Sequence, residues 1–403
     1  MTQTPTKLWN LNFIAYWLGI GATALGDALI FVALPFLVLE LSDNPQALAT
    51  AVLLGSLPRF LGPVIGLLAD RLHLKLPLLG IGLARAAIFA SLGLLALGDT
   101  LTLNLLYGAA FLNGLLTVFV FSAGNVLLPK LVPEQQLARA NSLMQGAIMG
   151  LPLAGYGLAG VLVSSLGTAL TILFAAPLFV LLGVAALIVK FPAPTPSKVN
   201  VLRDLSAGAR FMLSNTVLSL AVVVGLFMNF ALSALKVLIP LAMQALERGA
   251  GGYGLFEAVF AGGILVGIGT VSLIGERIKL TRQIGIGTVL LGIGFGVLSL
   301  ARFEVLIAGA VMMGLGLGFT EVAAVTLLQL IVPDGMRGKV MGMLIGLNAF
   351  GLSLGAFVAG QLAERLGLGT LYLVFAALAL ALSLLWLVKT ASFRLEPAQS
   401  KPI

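Results

Sequence analysis

Six ionisable residues stand inside long apolar stretches of this chain: Asp27, Arg59, Arg85, Lys236, Glu257 and Glu321. A charge at the centre of a bilayer costs ~2.5–3.5 kcal/mol on insertion scales, so each needs a partner, a wet cavity or a function. Three are acidic and three basic, so their formal charges cancel. A carboxylate can take up and release a proton, whereas arginine stays charged. Asp27 and Glu321 are therefore the candidates for proton coupling. Glu257 lies about a turn and a half from the outer end of its stretch, where solvent would reach it.

Helical spacing groups these charges with other polar residues. Asn12, Tyr16, Gly19, Thr23 and Asp27 follow one face. Arg59 shares a face with Gly62, Gly66 and Asp70, because eleven residues make about three turns. Asn229, Ser233, Lys236, Pro240 and Gln244 form a matching stripe later, and Glu321 and Gln329 lie on one side of their stretch. Two arrangements of Asp27 remain open, a meeting with Arg59 across a cavity or a static pair, with Arg59 or with Arg85, that locks the first bundle. A permanent Glu321–Lys236 pair is the corresponding structural alternative in the second half.

The elements that must position these groups are membrane helices. Hydrophobic residues make up 60% of the 403 and charged residues 9%, against about 25% charged in a soluble domain. A water-soluble chain of this length could not hide so much apolar surface. The apolar runs are continuous and long, unlike the alternating segments of about 10 residues of a barrel. Twelve runs lie near 11–39, 46–68, 76–97, 101–128, 139–163, 168–189, 214–245, 252–274, 283–301, 304–331, 339–362 and 369–388. The first is too long for a cleaved signal peptide and is read as a retained span.

Composition also excludes much chemistry. There is no cysteine, and His73 is the only histidine, which removes thiol nucleophiles, His-based triads and His-cluster metal sites. No phosphate-binding G-x-x-x-x-G-K-[ST] sequence occurs. No cofactor and no metal are expected. The net charge of +8 is read as basic cytoplasmic loops and not as nucleic-acid binding. An even number of spans puts both termini on one side. That side carries seventeen Lys and Arg, including Lys7, Arg71, Lys130, Lys190, Arg277 and Lys389. The other carries only Arg248, Arg302 and Arg365, so both termini are expected in the cytoplasm.

The chain divides into two similar halves. Gly66-Leu67-Leu68-Ala69-Asp70-Arg71 returns, weakened, as Ser272-Leu273-Ile274-Gly275-Glu276-Arg277, an offset of 276 − 70 = 206 residues. Leu131-Val132-Pro133-Glu134 returns as Ile331-Val332-Pro333-Asp334. The reading is a six-helix bundle over 1–190, a linker over 191–213, a second bundle over 214–390 and a tail over 391–403. In the linker, residues 201–211 are amphipathic, either a short helix lying on the inner membrane surface or a solvated connection. Gly146, Gly150, Gly155 and Gly160 in run five, and Gly342, Gly346, Gly351, Gly355 and Gly360 in run eleven, are read as close-packing faces. Gly314-x-Gly316-x-Gly318 has the look of a nucleotide loop but lies inside an apolar span with no strand before it, so that reading is rejected.

At this point the residues resemble a known family. Gly66-x-Leu68-Ala69-Asp70-Arg71 resembles the loop signature between helices two and three of the major facilitator superfamily, its usual basic tail reduced to His73-Leu74-Lys75. Gly26-Asp27, Leu57-Pro58-Arg59, Leu131-Val132-Pro133-Glu134, Ala140-Asn141-Ser142-Leu143 and the linker around Leu202-Arg203-Asp204-Leu205 are similar to the branch that holds macrolide-efflux and enterobactin-exporter proteins. The adjacent Gly-Pro that proton antiporters carry in helix five is spaced out here as Gly150-Leu151-Pro152.

The resemblance implies an all-α membrane protein with twelve transmembrane helices in two pseudo-symmetric six-helix bundles, which rock about a central site. It implies a cytoplasmic latch at Gly66, Asp70, Arg71, Glu276 and Arg277, in which Asp70 caps a helix end or meets an arginine of the other half. The cavity would be lined by Asp27, Arg59, Asn113, Asn141, Gln145, Asn229, Lys236, Glu257 and Glu321. Arg85, on the peripheral third helix, is read as structural. The expected activity is proton-coupled efflux of a hydrophobic or amphipathic small molecule by a monomer in the cell membrane. An uncoupled facilitator or importer is the rival transport reading. A receptor or lipid-modifying enzyme is the rival from another class, opposed by the lack of any catalytic cluster.

Overall fold

The computed structural model describes residues 7–191, 201–274 and 277–391, without the side chains of residues 70, 201–205, 274, 334 and 338. All regular structure among them is helical. The first half contains α1 (Leu11–Leu41), α2 (Pro45–Ser56), a 3-10 turn (Leu57–Leu61), α3 (Gly62–Arg71), α4 (Lys75–Leu97), α5 (Leu103–Leu131), α6 (Leu137–Gln145), a π turn (Gly146–Gly150), α7 (Leu151–Leu166) and α8 (Thr168–Ile188). Next come α9 (Val201–Ser214), α10 (Thr216–Ala245), α11 (Gly249–Ile274), α12 (Leu280–Leu298), α13 (Phe303–Ile331), α14 (Asp334–Leu366) and α15 (Leu368–Thr390). Twelve stretches among the described residues are long and apolar enough to cross a membrane, each close to an expected run.

Local chemistry starts and stops these spans. The Asn10 side chain accepts from the Phe13 N–H at 3.0 Å and opens α1, and Asn44 does the same for Gln46 at 2.7 Å, with Pro45 in the first turn. Pro133 and Pro333 follow the ends of α5 and α13. Arg337 reaches back from α14 and donates to the carbonyls of Gln329 (2.7 Å) and Val332 (3.2 Å), satisfying the open end of α13.

Contacts group the chain into two units, one with Met1–Val199 and Ile239–Ala258, the other with Asn200–Leu238 and Val259–Ile403. In the first, α8 packs against both α1 and α4. A Cβ at Gly82 would stand 2.6 Å from the Gly183 backbone nitrogen, so α4 and α8 touch backbone to backbone. Gly19 meets Ala185 and the Leu182 backbone in the same manner. The stripe from Asn12 to Thr23 is thus a helix seam and not a water-facing path. Asn12 accepts from the Lys190 N–H at 3.0 Å, and Thr23 donates back to Gly19. In the second unit α13 is wedged between α11 and α12. Gly314 and Gly318 press on α11 at Phe260–Gly263 and Ile264–Gly267, and Gly316 presses on α12 at Gly287. That accounts for the alternating glycines.

The halves repeat each other in detail. Phe89 and Phe179 stack with centroids 5.1 Å apart, and Phe295 and Phe375 do so at 5.2 Å. Gly155 lies against Leu25 and Ala28 of α1, and Gly355 against Phe230 of α10. Gly167 (φ 86°) and Gly367 (φ 73°) both turn the chain into the last helix of their half, through a backbone conformation that a side chain would strain. By contrast, a Cβ at Gly146, Gly150 or Gly346 would meet nothing within 4 Å among the described residues. Those three do not belong to the packing faces that the sequence suggested.

Among the described residues, only the first half breaks its spans. Its second span changes to a 3-10 turn around Pro58 and its fifth to a π turn just before Pro152. The eleventh span runs unbroken as α14. The linker helix α9 packs against the second bundle. It docks on α14, with Gly208 against the Lys339 carbonyl and Met212 in an apolar cluster with Leu218, Val332 and Val340.

Candidate functional site

An ion pair lies inside the first unit. Arg85 of α4 pairs with Oδ1 of Asp27 on α1. Its Nε donates to Asn113 Oδ1 on α5 at 2.8 Å, and its guanidinium carbon stands 4.2 Å from the centre of the Phe179 ring on α8. Four helices converge on one cation. The Arg85 side chain is fully buried, whereas that of Asp27 is 39% exposed. Arg85 Nη1 is buried with no hydrogen-bond partner among the described residues.

Of the two arrangements left open for Asp27, the structure forms the pair with Arg85. The seam at Gly82 and Gly183 brings α4 close enough to α8 for Arg85 to lie on Phe179 and reach α1. Arg59 is exposed, on the 3-10 turn, close enough to Asp27 for their charges to interact.

The second fragmented span comes close to α1 as well. Trp17 donates from Nε1 to the Leu143 carbonyl at 3.0 Å, one turn before the π turn. Gly21 faces Leu151 and Ala147 across the same seam. Asn141 and Gln145 are exposed on α6. A π turn inside a helix is uncommon and concentrates at functional sites.

Glu257 is 8% exposed, so its position near the end of a span does not leave it solvated. It belongs to an aromatic cluster of the first unit. Tyr253, one turn earlier on α11, stacks on Phe31 of α1 at 6.0 Å, and Phe31 meets Tyr156 of α7 at 5.3 Å. The Tyr253 hydroxyl is buried beside the Glu257 carboxylate.

In the second unit, Asn229 is half-buried and donates to its own helix at Gly225, 2.9 Å away. Lys236 is half-buried. Glu321 is exposed on α13 and makes no ion pair or hydrogen bond among the described residues, so the permanent Glu321–Lys236 pair is not formed. At the latch, Gly66 has open space around it, and Arg71 and Arg277 are exposed. The Asp70 side chain and all of Glu276 lie outside the described residues, as do residues 192–200 of the linker.

Sequence reasoning missed Phe179 and Trp17. Neither carries a local signal, because each acts only once α8 and α6 are packed against their neighbours. It also missed the widening at Gly146–Gly150, for which Pro152 after two glycines was the available cue.

Comparison with known proteins follows the same lines. The model of the Major Facilitator Superfamily matches residues 16–282 and again 250–402. Macrolide efflux protein A of Streptococcus pyogenes is 25% identical over 389 residues, covering 93% of this chain and 95% of that protein. Enterobactin exporter EntS of Salmonella typhimurium is 26% identical over 342 residues, covering 83% and 81%. Among solved structures, the nucleoside transporter NupG (D323A mutant) superposes with a TM-score of 0.79 at 14% identity, covering 94% of this chain and 99% of that one. A POT family transporter in complex with 5-aminolevulinic acid gives 0.74 at 15% identity, covering 94% and 95%. These structural likenesses bear on the fold alone. With a family match that extends from residue 16 to residue 402, the chain belongs to the Major Facilitator Superfamily and is a membrane-spanning transporter, not an enzyme.

Proposed function

We propose that the protein exports a hydrophobic or amphipathic small molecule from the cell in exchange for protons. One observation carries the coupling: Glu321 is a carboxylate inside a span with no counter-charge among the described residues. Such a group can bind and release a proton without leaving a partner stranded. Asp27 is already committed to Arg85. The direction of transport is supported by the two named relatives, an efflux protein and an exporter. The broken second and fifth spans support a cargo path along them, because discontinuous helices mark binding regions in transporters. Arg59, Asn113, Asn141, Gln145, Asn229, Lys236 and Glu257 remain the cargo-facing candidates. Gly66, Asp70, Arg71, Glu276 and Arg277 remain the latch candidates. The charge imbalance of the loops supports a protein of the cell membrane with both termini in the cytoplasm.

The test is transport in proteoliposomes under an imposed pH gradient, with a macrolide and enterobactin as trial cargoes. Wild type is expected to move one of them only when the gradient is present. Glu321→Gln is expected to lose gradient-driven movement while still binding the cargo. Transport by Glu321→Gln that still follows the gradient would remove proton coupling through this residue. Uncoupled facilitation is the second reading, favoured by the existing Asp27–Arg85 pair, and it predicts wild-type movement without any gradient.

A further inference from the structure

We infer that Asp27 is a cargo-binding carboxylate, set in place by Arg85 as its positioning residue, and that what it receives is a flat organic cation that carries N–H donors. The inference rests on the reading as a small-molecule exporter, and it separates cargo binding at Asp27 from proton exchange at Glu321.

Arg85 is always charged and has no access to solvent. Its charge is answered by Asp27, with Asn113 and the Phe179 face completing the shell. Neutralising Asp27 would strand a buried guanidinium, the costly way to break such a pair. Asp27 is therefore committed to its pair with Arg85. Yet only Oδ1 is engaged by Arg85. Oδ2 has no partner among the described residues, and the side chain is 39% exposed. An accessible carboxylate oxygen accepts, and a charged N–H donor makes the strongest bond to it.

The surroundings suit the rest of such a ligand. Phe31 follows Asp27 by one turn of α1 and lies 5.3 Å from the Tyr156 ring, which is near enough to Asp27 to feel its charge. Aromatic faces beside a carboxylate attract flat or alkylated cations. The titratable groups around Asp27 are Arg85 on α4, Arg59 on the 3-10 turn and Tyr156 on α7, with Glu257 of α11 acting on Tyr156 in turn.

The fold itself does not demand the cluster. Helices of the two halves correspond at offsets of 205 residues for Pro35 and Pro240, 206 for Phe89 and Phe295, and 200 for Pro133 and Pro333. At those offsets Asp27, Arg85 and Asn113 become Leu232, Leu291 and Met313, three apolar side chains. The last two are fully buried beside an intact aromatic pair.

Ethidium, a flat cation with amino groups, is the probe, and neutral phenanthridine is its control. Binding is measured on the full chain in lipid nanodiscs. Ethidium is expected to bind wild type. Asp27→Asn should weaken it about tenfold or more without changing phenanthridine. Arg85→Leu should weaken ethidium binding and Arg85→Lys should restore it, with phenanthridine unchanged in both. Should a single variant misfold, Asp27→Leu with Arg85→Leu and Asn113→Met copies the second half, and it should fold and lose ethidium. The proposal is overturned if wild type does not bind ethidium, if folded Asp27 variants bind it unchanged, or if Arg85→Leu binds it as wild type does. Loss of gradient-driven transport with ethidium binding intact would count against the exporter reading alone.

Discussion

Arg85 and Leu291 fill equivalent places in the two halves, each fully buried and each one turn before the phenylalanine that stacks on the last helix of its half. One position carries a charge that must be answered, and the other a side chain that needs nothing. The repeated architecture therefore tolerates either solution, and the charged one is a local addition to the first half.

This comparison predicts a non-additive stability pattern. Asp27→Asn leaves the buried guanidinium unmatched, a loss of about 3–5 kcal/mol when one partner of a buried pair is removed, whereas Arg85→Leu leaves a part-exposed carboxylate with Arg59 still near it and should cost less. The triple change to Leu, Leu and Met at positions 27, 85 and 113 should recover most of that loss. Thermal melting of wild type, the two single variants and the triple variant in one detergent checks it. A triple variant no more stable than the worse single variant would show that the second half is not a valid template for the first.

Gly355 sits where a Cβ would collide with the Phe230 carbonyl, and the Phe230 backbone cannot yield without bending α10. Gly355→Ala should therefore cost about 1–3 kcal/mol. Gly346, with open space around it, should accept alanine with little change. Melting temperatures of the two variants give the contrast, and equal losses would place the packing seam elsewhere.

Gly208 holds α9 on α14 through the Lys339 carbonyl. Gly208→Leu should lift the helix off and uncover Met212 and Val340, which are now 3% and 1% exposed. Hydrogen exchange over residues 206–214 should rise several-fold, because a helix without its packed face is marginal in water. Unchanged protection there would mean that α9 is held by other contacts.

The twelve spans were legible because length and apolarity alone specify a membrane helix, and Val132-Pro133 and Val332-Pro333 marked the repeat. The partner of Asp27 was not legible. Arg59 and Arg85 both lie on helices near α1, and what chooses between them is the depth to which α4 sinks against α8 at Gly82 and Gly183, a lateral packing fact. Glu257 failed for a related reason. Distance along a helix tells how far a residue lies from the membrane edge, but not that Tyr253 and its neighbours close over it.

The π turn at Gly146–Gly150 supplies the last prediction. Pro152 has no N–H and its ring would press on the carbonyl four residues back, at Ile148, in a regular helix. Widening the preceding turn moves that carbonyl aside, and the glycines at 146 and 150 make the widening cheap. Trp17 then ties the Leu143 carbonyl to α1 from outside. Pro152→Ala restores the missing donor and should let the span close into a regular helix. The expected result is a protein more stable by about 0.5–1.5 kcal/mol, one hydrogen bond gained, but slower in transport. Closure removes one residue of offset and swings Asn141 and Gln145 about the helix axis by roughly 100°, away from the direction they now face. Distances between spin labels at Gln145 and Thr23 would report the swing. A variant that transports at the wild-type rate with that swing present would show that Asn141 and Gln145 do not face the cargo.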